Sequence, residues 1–576
     1  MTPLPRLIAE LMANRKLFLH YSALVGMIAL GALLRFWNLD LKPLWLDEVI
    51  TALFSLGRSY NDVPLDVVFP LDVLKQIFSF KPAVGCPQIA YNLATQSTHP
   101  PLFFCLMHSW FSWLSPVSPG WVWTLRSLPA LFGVSAIAAV YCLNARAFSP
   151  VAGLMAAAVM AVSPFGVYLS QEARHYTLPL LLITLSLLGL IQIQQDLFQT
   201  QRLRPSVWLG WAIVNSIGLY VHYFFIMALL AELGTLFGLM YWQRRTLPHN
   251  SVLAASLAVI GVLASFIPWF RVMLAHSHRS ETSWVPHPNN ISPLFQTLSS
   301  WLLIVIALPV ENQPLWIVVP SGLLMILFGT WVGQHVFKGL RQMWRTPDQL
   351  ATLTLLSFTF LVLLEFFAIV YLLGKDLTVV PRYNFVYYPS LCALIGASLV
   401  KCKSASNPVK QSYIHILGQY KQKAIQHNFY FLLFTFSLLS CVLLVSNLVF
   451  QKPFNPQLVA QNMNQEPSVP LMVVVGYNDY QDVALGLSFA LALEKVRTES
   501  TSEFAFFKRS SGYEPIWQKL SQLPPPATSK LNLWVVAPGL RRRDYPPQLA
   551  LSLHCTLDPT HYYRIGVPYQ LYRCKR

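Results

Sequence analysis

Charge is what this sequence has least of. Only 11% of its 576 residues are Asp, Glu, Lys or Arg, while 55% are hydrophobic. Soluble proteins carry roughly 25% charged residues, so the composition excludes the water-soluble multidomain protein that length alone would suggest. Acidic residues are the scarcer kind, 24 against 41 basic, for a formal net charge of +17. The basic residues fall in short clusters between apolar runs, which is how topology-setting loops look and not how a nucleic-acid surface looks. No small-residue cleavage site follows Met27–Leu34, so the first apolar run is expected to be a retained anchor. The polar C-terminal region has neither a glycine-rich phosphate loop nor a catalytic signature. No internal repeat of the transporter kind is visible. Of eight cysteines, six lie in or near apolar segments and read as small core residues. Cys555 and Cys574 stand in the polar C-terminal region and can pair if it faces an oxidising compartment.

What is present is a series of long apolar runs, at about 17–37, 121–144, 149–168, 177–194, 207–242, 251–273, 315–337, 351–373, 385–400 and 429–450. A span needs about 20 apolar residues. The 207–242 run is too long for one and is interrupted by Tyr220-Val221-His222-Tyr223, so it reads as a hairpin of two spans. Two shorter runs, 100–115 and 294–310, are flanked by proline. Lys and Arg cluster at Arg6, Arg15 and Lys16, at Arg146, Arg202 and Arg204, at Arg244 and Arg245, at Lys338, Arg341 and Arg345, and from Lys401 to Lys423. Placing these inside gives 11 crossings, a cytoplasmic N-terminus and an external C-terminal domain, provided the two short runs do not cross. If both cross, the count is 13 and the polar motif at 171–176 changes sides. The reading adopted is 11. The expected fold class is therefore a polytopic α-helical membrane protein of about 11 to 13 transmembrane helices with a small C-terminal soluble α/β domain.

The expected domains are a transmembrane domain over 1–450, with an external loop 38–98 and a basic cytoplasmic linker 401–428, and an extracytoplasmic α/β domain over 452–576. In the external loop, pieces near 48–58 and 70–80 read as amphipathic helices on the membrane surface. In the C-terminal domain, Leu471–Val475 and Leu531–Val536 read as buried strands and Asp482–Lys495 as a helix.

The polar chemistry gathers on the expected external face. Asp47 and Glu48 follow the first run; alone, such a pair reads equally as a solvated loop. Thr98-His99-Pro100-Pro101 closes the same loop, where two prolines begin a helix and His99 stands at its start. Ser170-Gln171-Glu172-Ala173-Arg174-His175-Tyr176 joins two runs, and six hydrogen-bonding side chains at a membrane edge are costly unless used. Glu172 and Arg174 can simply pair with each other. Tyr220, His222 and Tyr223 lie at the hairpin tip, where aromatic anchoring is the plain alternative. Arg279, Glu281 and Trp284 occupy another external loop. Pro381-Arg382-Tyr383-Asn384 puts an arginine outside, against the positive-inside trend, and a phosphate would account for it. Carboxylates and cations on one face imply a site that binds a phosphate and carries a general base.

Taken in order, the Asp-Glu pair, His-Pro-Pro-Leu-Phe-Phe, Gln-Glu-Ala-Arg-His-Tyr and the later Arg-Tyr resemble the GT-C glycosyltransferases. Family 39 and its relatives, the protein O-mannosyltransferases and bacterial aminoarabinose transferases, are the nearest branch. The resemblance covers about residues 10–400. It implies an enzyme that transfers a hexose or pentose from a polyprenyl-phosphate donor to an acceptor glycan, lipid or protein, with inversion, in a bacterial inner membrane whose outer side carries the site. By that resemblance Asp47 is the base, with Glu48 beside it, and Arg382, Arg174 and His99 meet the donor phosphate. Tyr383, His175, Tyr176, His222, Tyr223 and Trp284 line the substrate. Glu172 either orients Asp47's surroundings or, with Asp47, holds a divalent metal cation, the one cofactor the resemblance leaves open. A transporter or flippase for lipid-linked precursors, and a non-catalytic membrane scaffold, are the alternatives. Charges at one edge rather than at the bilayer midplane argue against transport.

Overall fold

The computed structural model describes residues 4–114, 120–279, 281, 284–402, 413–497, 502–510, 512–523, 529–550 and 554–575. These form two compact units: one of residues 1–39, 126–273 and 285–451, the other of residues 40–125, 274–284 and 452–576. The expected external loop thus belongs to the same compact unit as the C-terminal segment.

The first unit is helical. Among the described residues eight helices of 18 to 29 residues are long and apolar enough to cross a membrane, and at 1.5 Å per residue each reaches about 27 Å or more. A further apolar pair of helices, Pro150–Ala161 and Pro164–Ser170, meets at 62°, the geometry of a broken span or a re-entrant segment. The break follows from the sequence. Ser149 and Ser163 each accept a backbone N–H three residues on, and Pro150 and Pro164 follow them at the first helical position. Two capping boundaries within one apolar run therefore make two helices. The remaining apolar runs fold as the shorter helices Pro205–Leu219 and Tyr388–Cys402. The 13-residue helix Leu102–Leu114 and the 11-residue helix Ser292–Leu302, expected not to cross, fall short of the length a span needs. Of the expected basic linker, residues 403–412 lie outside the described residues.

The second unit is α/β, and its sheet recruits the external loop. Among the described residues seven strands, β1 (Val68–Pro70), β2 (Leu471–Tyr477), β3 (Ser502–Lys508), β4 (Lys530–Val536), β5 (Gln548–Ala550), β6 (His554–Ile565) and β7 (Val567–Lys575), lie in the order β1-β3-β2-β4-β7-β6-β5. β3, β2 and β4 run parallel, and the other pairings are antiparallel. All seven residues of β2 are buried, as expected of a parallel strand covered on both faces. The β6–β7 turn needs Gly566, whose φ is +74° and whose missing Cβ leaves room for the Phe454 ring.

Two expectations are corrected here. The piece expected to lie on the membrane surface is the helix Leu46–Ser55, whose last eight residues are all buried. It packs against the helix Tyr480–Val496, so its apolar face is covered by protein. Cys86 and Cys105, read as small core residues, are joined by a disulfide, as are Cys555 and Cys574. The first bridge ties the helix Cys86–Gln96 to the helix Leu102–Leu114, a juxtaposition sequence spacing does not reveal.

Each bridge is expected to contribute about 2–4 kcal/mol. Peptide mapping without reduction should recover Cys86–Cys105 and Cys555–Cys574 as linked pairs. The double variant Cys86→Ser, Cys105→Ser should melt at a lower temperature than the parent; an unchanged melt would remove the bridge's stabilising role.

Candidate active site

In the helical unit the site is built on the broken helix. Its first half ends at Ala161, leaving terminal carbonyls without intrahelical partners. Arg35, only 1% exposed, donates to the carbonyls of Met160 and Ala161 at 3.0 Å each, and to Gly31 O. A cation at a helix C-terminus is favoured by the helix dipole. Glycines make room for it: a Cβ on Gly133 would stand 3.1 Å from Arg35 Nε. Gln171 then closes the first helix, donating to the carbonyls of Leu34 and Trp37. The polar motif thus begins with a structural residue, and the turn after Gln171 is held against a capped helix end.

The rest of that motif meets the hairpin tip and the Pro381–Val386 turn. Glu172, Arg174, His175 and Tyr176 are all buried. Tyr176 stands between two cations: Arg382 Nε donates to its hydroxyl at 3.0 Å, and the Arg174 guanidinium lies 5.7 Å from its ring centre. The His175 and His222 rings are 4.5 Å apart, and His222 packs 4.9 Å from Phe385. Phe224 meets Tyr383 edge-on at 4.8 Å, and Arg382 lies 5.8 Å from the Tyr383 ring. Six of the residues singled out in the sequence, Arg174, His175, Tyr176, His222, Arg382 and Tyr383, therefore form one cationic, aromatic cluster. Tyr223 reaches elsewhere: its hydroxyl accepts from Trp269 Nε1 at 3.0 Å. Phe224, Phe385 and Arg35 are additions. Only Arg35 left a signal, a charge in the last turn of an apolar run.

Burial, and then the nearby Arg174 charge, lower the His222 pKa to about 3. Its Nδ1 accepts from Phe224 N at 2.9 Å, which places the ring proton on Nε2 in the neutral form. His222 is therefore a neutral wall near the Arg174 cation.

The α/β unit carries the other candidates. Asp47 and Glu48, expected in a loop, lie in the first turn of the helix Leu46–Ser55, where carboxylates are favoured by the helix dipole. Glu48 is 1% exposed, whereas Asp47 is half-buried and so the more accessible acid. His99 is also half-buried, with Nδ1 2.9 Å from Ser97 Oγ. Arg279 donates to Ser97 O and pairs with Glu281 at 3.4 Å. Trp284 is exposed. Among the described residues no group of three or more His, Cys, Asp or Glu could hold a metal ion.

A family model described as dolichyl-phosphate-mannose-protein mannosyltransferase matches residues 98–270, a stretch that contains His99, the 171–176 motif and His222. None of the curated proteins compared with the chain matches it. Among solved structures, ArnT from Cupriavidus metallidurans bound to undecaprenyl phosphate is similar with a TM-score of 0.51 at 13% identity, over 95% of this chain and 97% of that one. The same protein in its apo state gives 0.50 at 12%, with the same coverage. An oligosaccharyltransferase from Archaeoglobus fulgidus gives 0.47 at 13%, over 82% of this chain and 63% of that one. The two ArnT superpositions span nearly whole chains and establish the fold as that of the GT-C glycosyltransferases. The family model agrees with the family 39-like resemblance carried by the motifs, and the chain is a multi-pass membrane protein.

A histidine whose folded pKa is depressed binds fewer protons than in the unfolded chain between about pH 3 and the ordinary value of 6.5. Its stabilising contribution is complete above pH 6.5 and is lost as pH falls. The melting temperature should drop on acidification below that value, and His222→Gln should reduce the drop. An identical pH dependence in parent and variant would show that the ring is not held neutral.

Proposed function

We propose that the chain transfers a sugar from a polyprenyl-phosphate donor to a hydroxyl of an acceptor outside the cytoplasm, inverting the anomeric configuration. The observation that carries this reading is the pair of arginines on Tyr176, Arg174 buried and Arg382 half-buried, on a fold of the GT-C type. Guanidinium groups suit the planar, multidentate recognition of a phosphate, and a lipid phosphate is the anion such an edge would meet. The match to a mannosyltransferase family model over residues 98–270 supports the enzyme class, and the ArnT structure containing undecaprenyl phosphate supports the donor class. Fold alone would not, since one fold serves many chemistries.

The residues divide the work. Asp47 takes the proton of the acceptor hydroxyl as its oxygen attacks the anomeric carbon. The bond from that carbon to the phosphate oxygen breaks, and the polyprenyl phosphate leaves with the electron pair. Negative charge grows on the phosphate at that moment, so fixed guanidinium groups stabilise the transition state more than the ground state. Arg382 and Arg174 supply them, and the phosphate needs no further cation in this scheme. His99 is a weaker phosphate contact, and neutral His222 with the surrounding aromatic rings lines the sugar. Glu48, buried behind Asp47 in the same helical turn, shapes the base's surroundings, and Glu172 holds the turn that carries Arg174. The two disulfides of the α/β unit support an oxidising compartment on that side, in keeping with the basic loops lying inside.

Asp47→Asn should lower sugar transfer by roughly 10²–10⁴, the usual share of a general base, with expression and membrane insertion intact. Full activity with a polyprenyl-phosphate sugar would sink the mechanism. Arg382→Ala should raise the KM for the donor and lower kcat, and Arg382→Lys should recover little, because lysine lacks the bidentate fork. An unchanged donor KM would remove Arg382 from the phosphate.

A further inference from the structure

The α/β unit contains a cavity to which the residue roles above assign nothing. Its volume is about 420 Å³, within the range of small-molecule sites, and Leu65, Arg279, Glu281, Lys508 and the run Tyr477–Tyr480 line it. Its place in the fold is informative. Val475 and Gly476 are neighbours in β2 and so face opposite sides of the sheet. A Cβ on Gly486, in the helix Tyr480–Val496, would press on Phe506 and Val475; one on Gly476 would meet Tyr513 and Ile516. The helix that follows β2 and the helix Glu514–Ser521 that follows β3 therefore cover opposite faces. β2 and β3 are adjacent and parallel, with Tyr477 paired to Lys508 at their ends. The two connections part at these carboxyl ends, which is the switch point where open α/β sheets bind ligands. The cavity lies there.

Its chemistry narrows the occupant. Arg279 and Lys508 bring two positive charges and Glu281 and Asp479 two negative ones, so the lining selects neither a phosphate nor a cation. It offers carboxylate acceptors, ammonium and guanidinium donors, the Asn478 amide and tyrosine rings, and each sugar hydroxyl can both donate and accept. Asp479 accepts from Gln481 N and Asp482 N, which keeps its carboxylate fixed at the start of the helix. Tyr480 is held rigid by parallel stacking on Tyr60, with centroids 4.2 Å apart. The cavity also adjoins the helix of the proposed base: Leu46–Ser55 packs on Tyr480–Val496, and Tyr60, whose pKa burial raises first, also feels Glu281, Asp479 and Asp47.

We infer that the crevice between the carboxyl ends of β2 and β3 binds a neutral saccharide, the part of the acceptor that brings its hydroxyl toward Asp47. The acceptor role rests on the glycosyltransferase reading; the binding of a saccharide does not.

The test is saturation-transfer NMR on the full chain in lipid nanodiscs, with maltose, lactose and chitobiose as probes and inorganic phosphate as competitor. At least one disaccharide should receive saturation and should not be displaced by phosphate. Asn478→Ala and Lys508→Met, both at exposed positions, should weaken that binding about tenfold, the effect of a hydrogen bond or two lost from a polar site, with the melt unchanged. Asp47→Asn should bind the sugar as the parent does, which separates a failure of the base assignment from a failure of the crevice. No signal from any of the three sugars, displacement by phosphate, or variants that bind like the parent would each overturn the inference.

Discussion

A helix that stops inside a membrane protein leaves carbonyls that lipid cannot satisfy, and in this chain one arginine meets that need. Arg35 binds the last carbonyls of Pro150–Ala161, so the chain can break at Ser163-Pro164 and start again at a different angle. The second half-helix delivers Gln171, which caps the helix that carries Arg35. The two closures are reciprocal. Without them the turn at 171–176 would have no fixed origin, and Arg174 and Tyr176 would have no fixed place.

From that origin the cluster follows by short steps. The turn at 220–224 presents His222 to His175, and the prolyl turn at 381 presents Arg382 to Tyr176. Aromatic packing fixes side chains that carry few rotamers of their own, and burial keeps His222 neutral so that the positive charge stays with the arginines. The proposed phosphate role calls for such preorganisation, because dipoles and charges already in place do not have to reorganise during reaction. In the α/β unit, half-buried Asp47 lies at the start of a helix whose last eight residues are buried, and the sheet draws one strand from the loop between the first two apolar runs.

The motif residues were legible because they are polar where the sequence is otherwise apolar. Arg174, His175, Tyr176, His222, Arg382 and Tyr383 each interrupt or border an apolar run, and a buried polar group in such a place invites a functional account. Phe224 and Phe385 were not legible, since an aromatic in an apolar run looks like any other core residue. Cys86 and Cys105 were hidden for the same reason: in an apolar context a cysteine reads as a small hydrophobe, and only the approach of two helices shows a bridge. Leu46–Ser55 misled because amphipathicity says that one face is covered without saying whether lipid or protein covers it.

By itself the sequence determined the membrane class, the apolar segments, buried strands over Leu471–Val475 and Leu531–Val536, and the order of motifs that gives the GT-C resemblance. Those are properties of local composition and period. The tertiary structure alone decided that the loop after the first apolar run joins the C-terminal sheet, that Arg35 ends a broken helix, and that Tyr176 lies between Arg174 and Arg382. Each of these is a meeting of residues far apart in the chain, set by which surfaces pack together, and no period within a single segment encodes it.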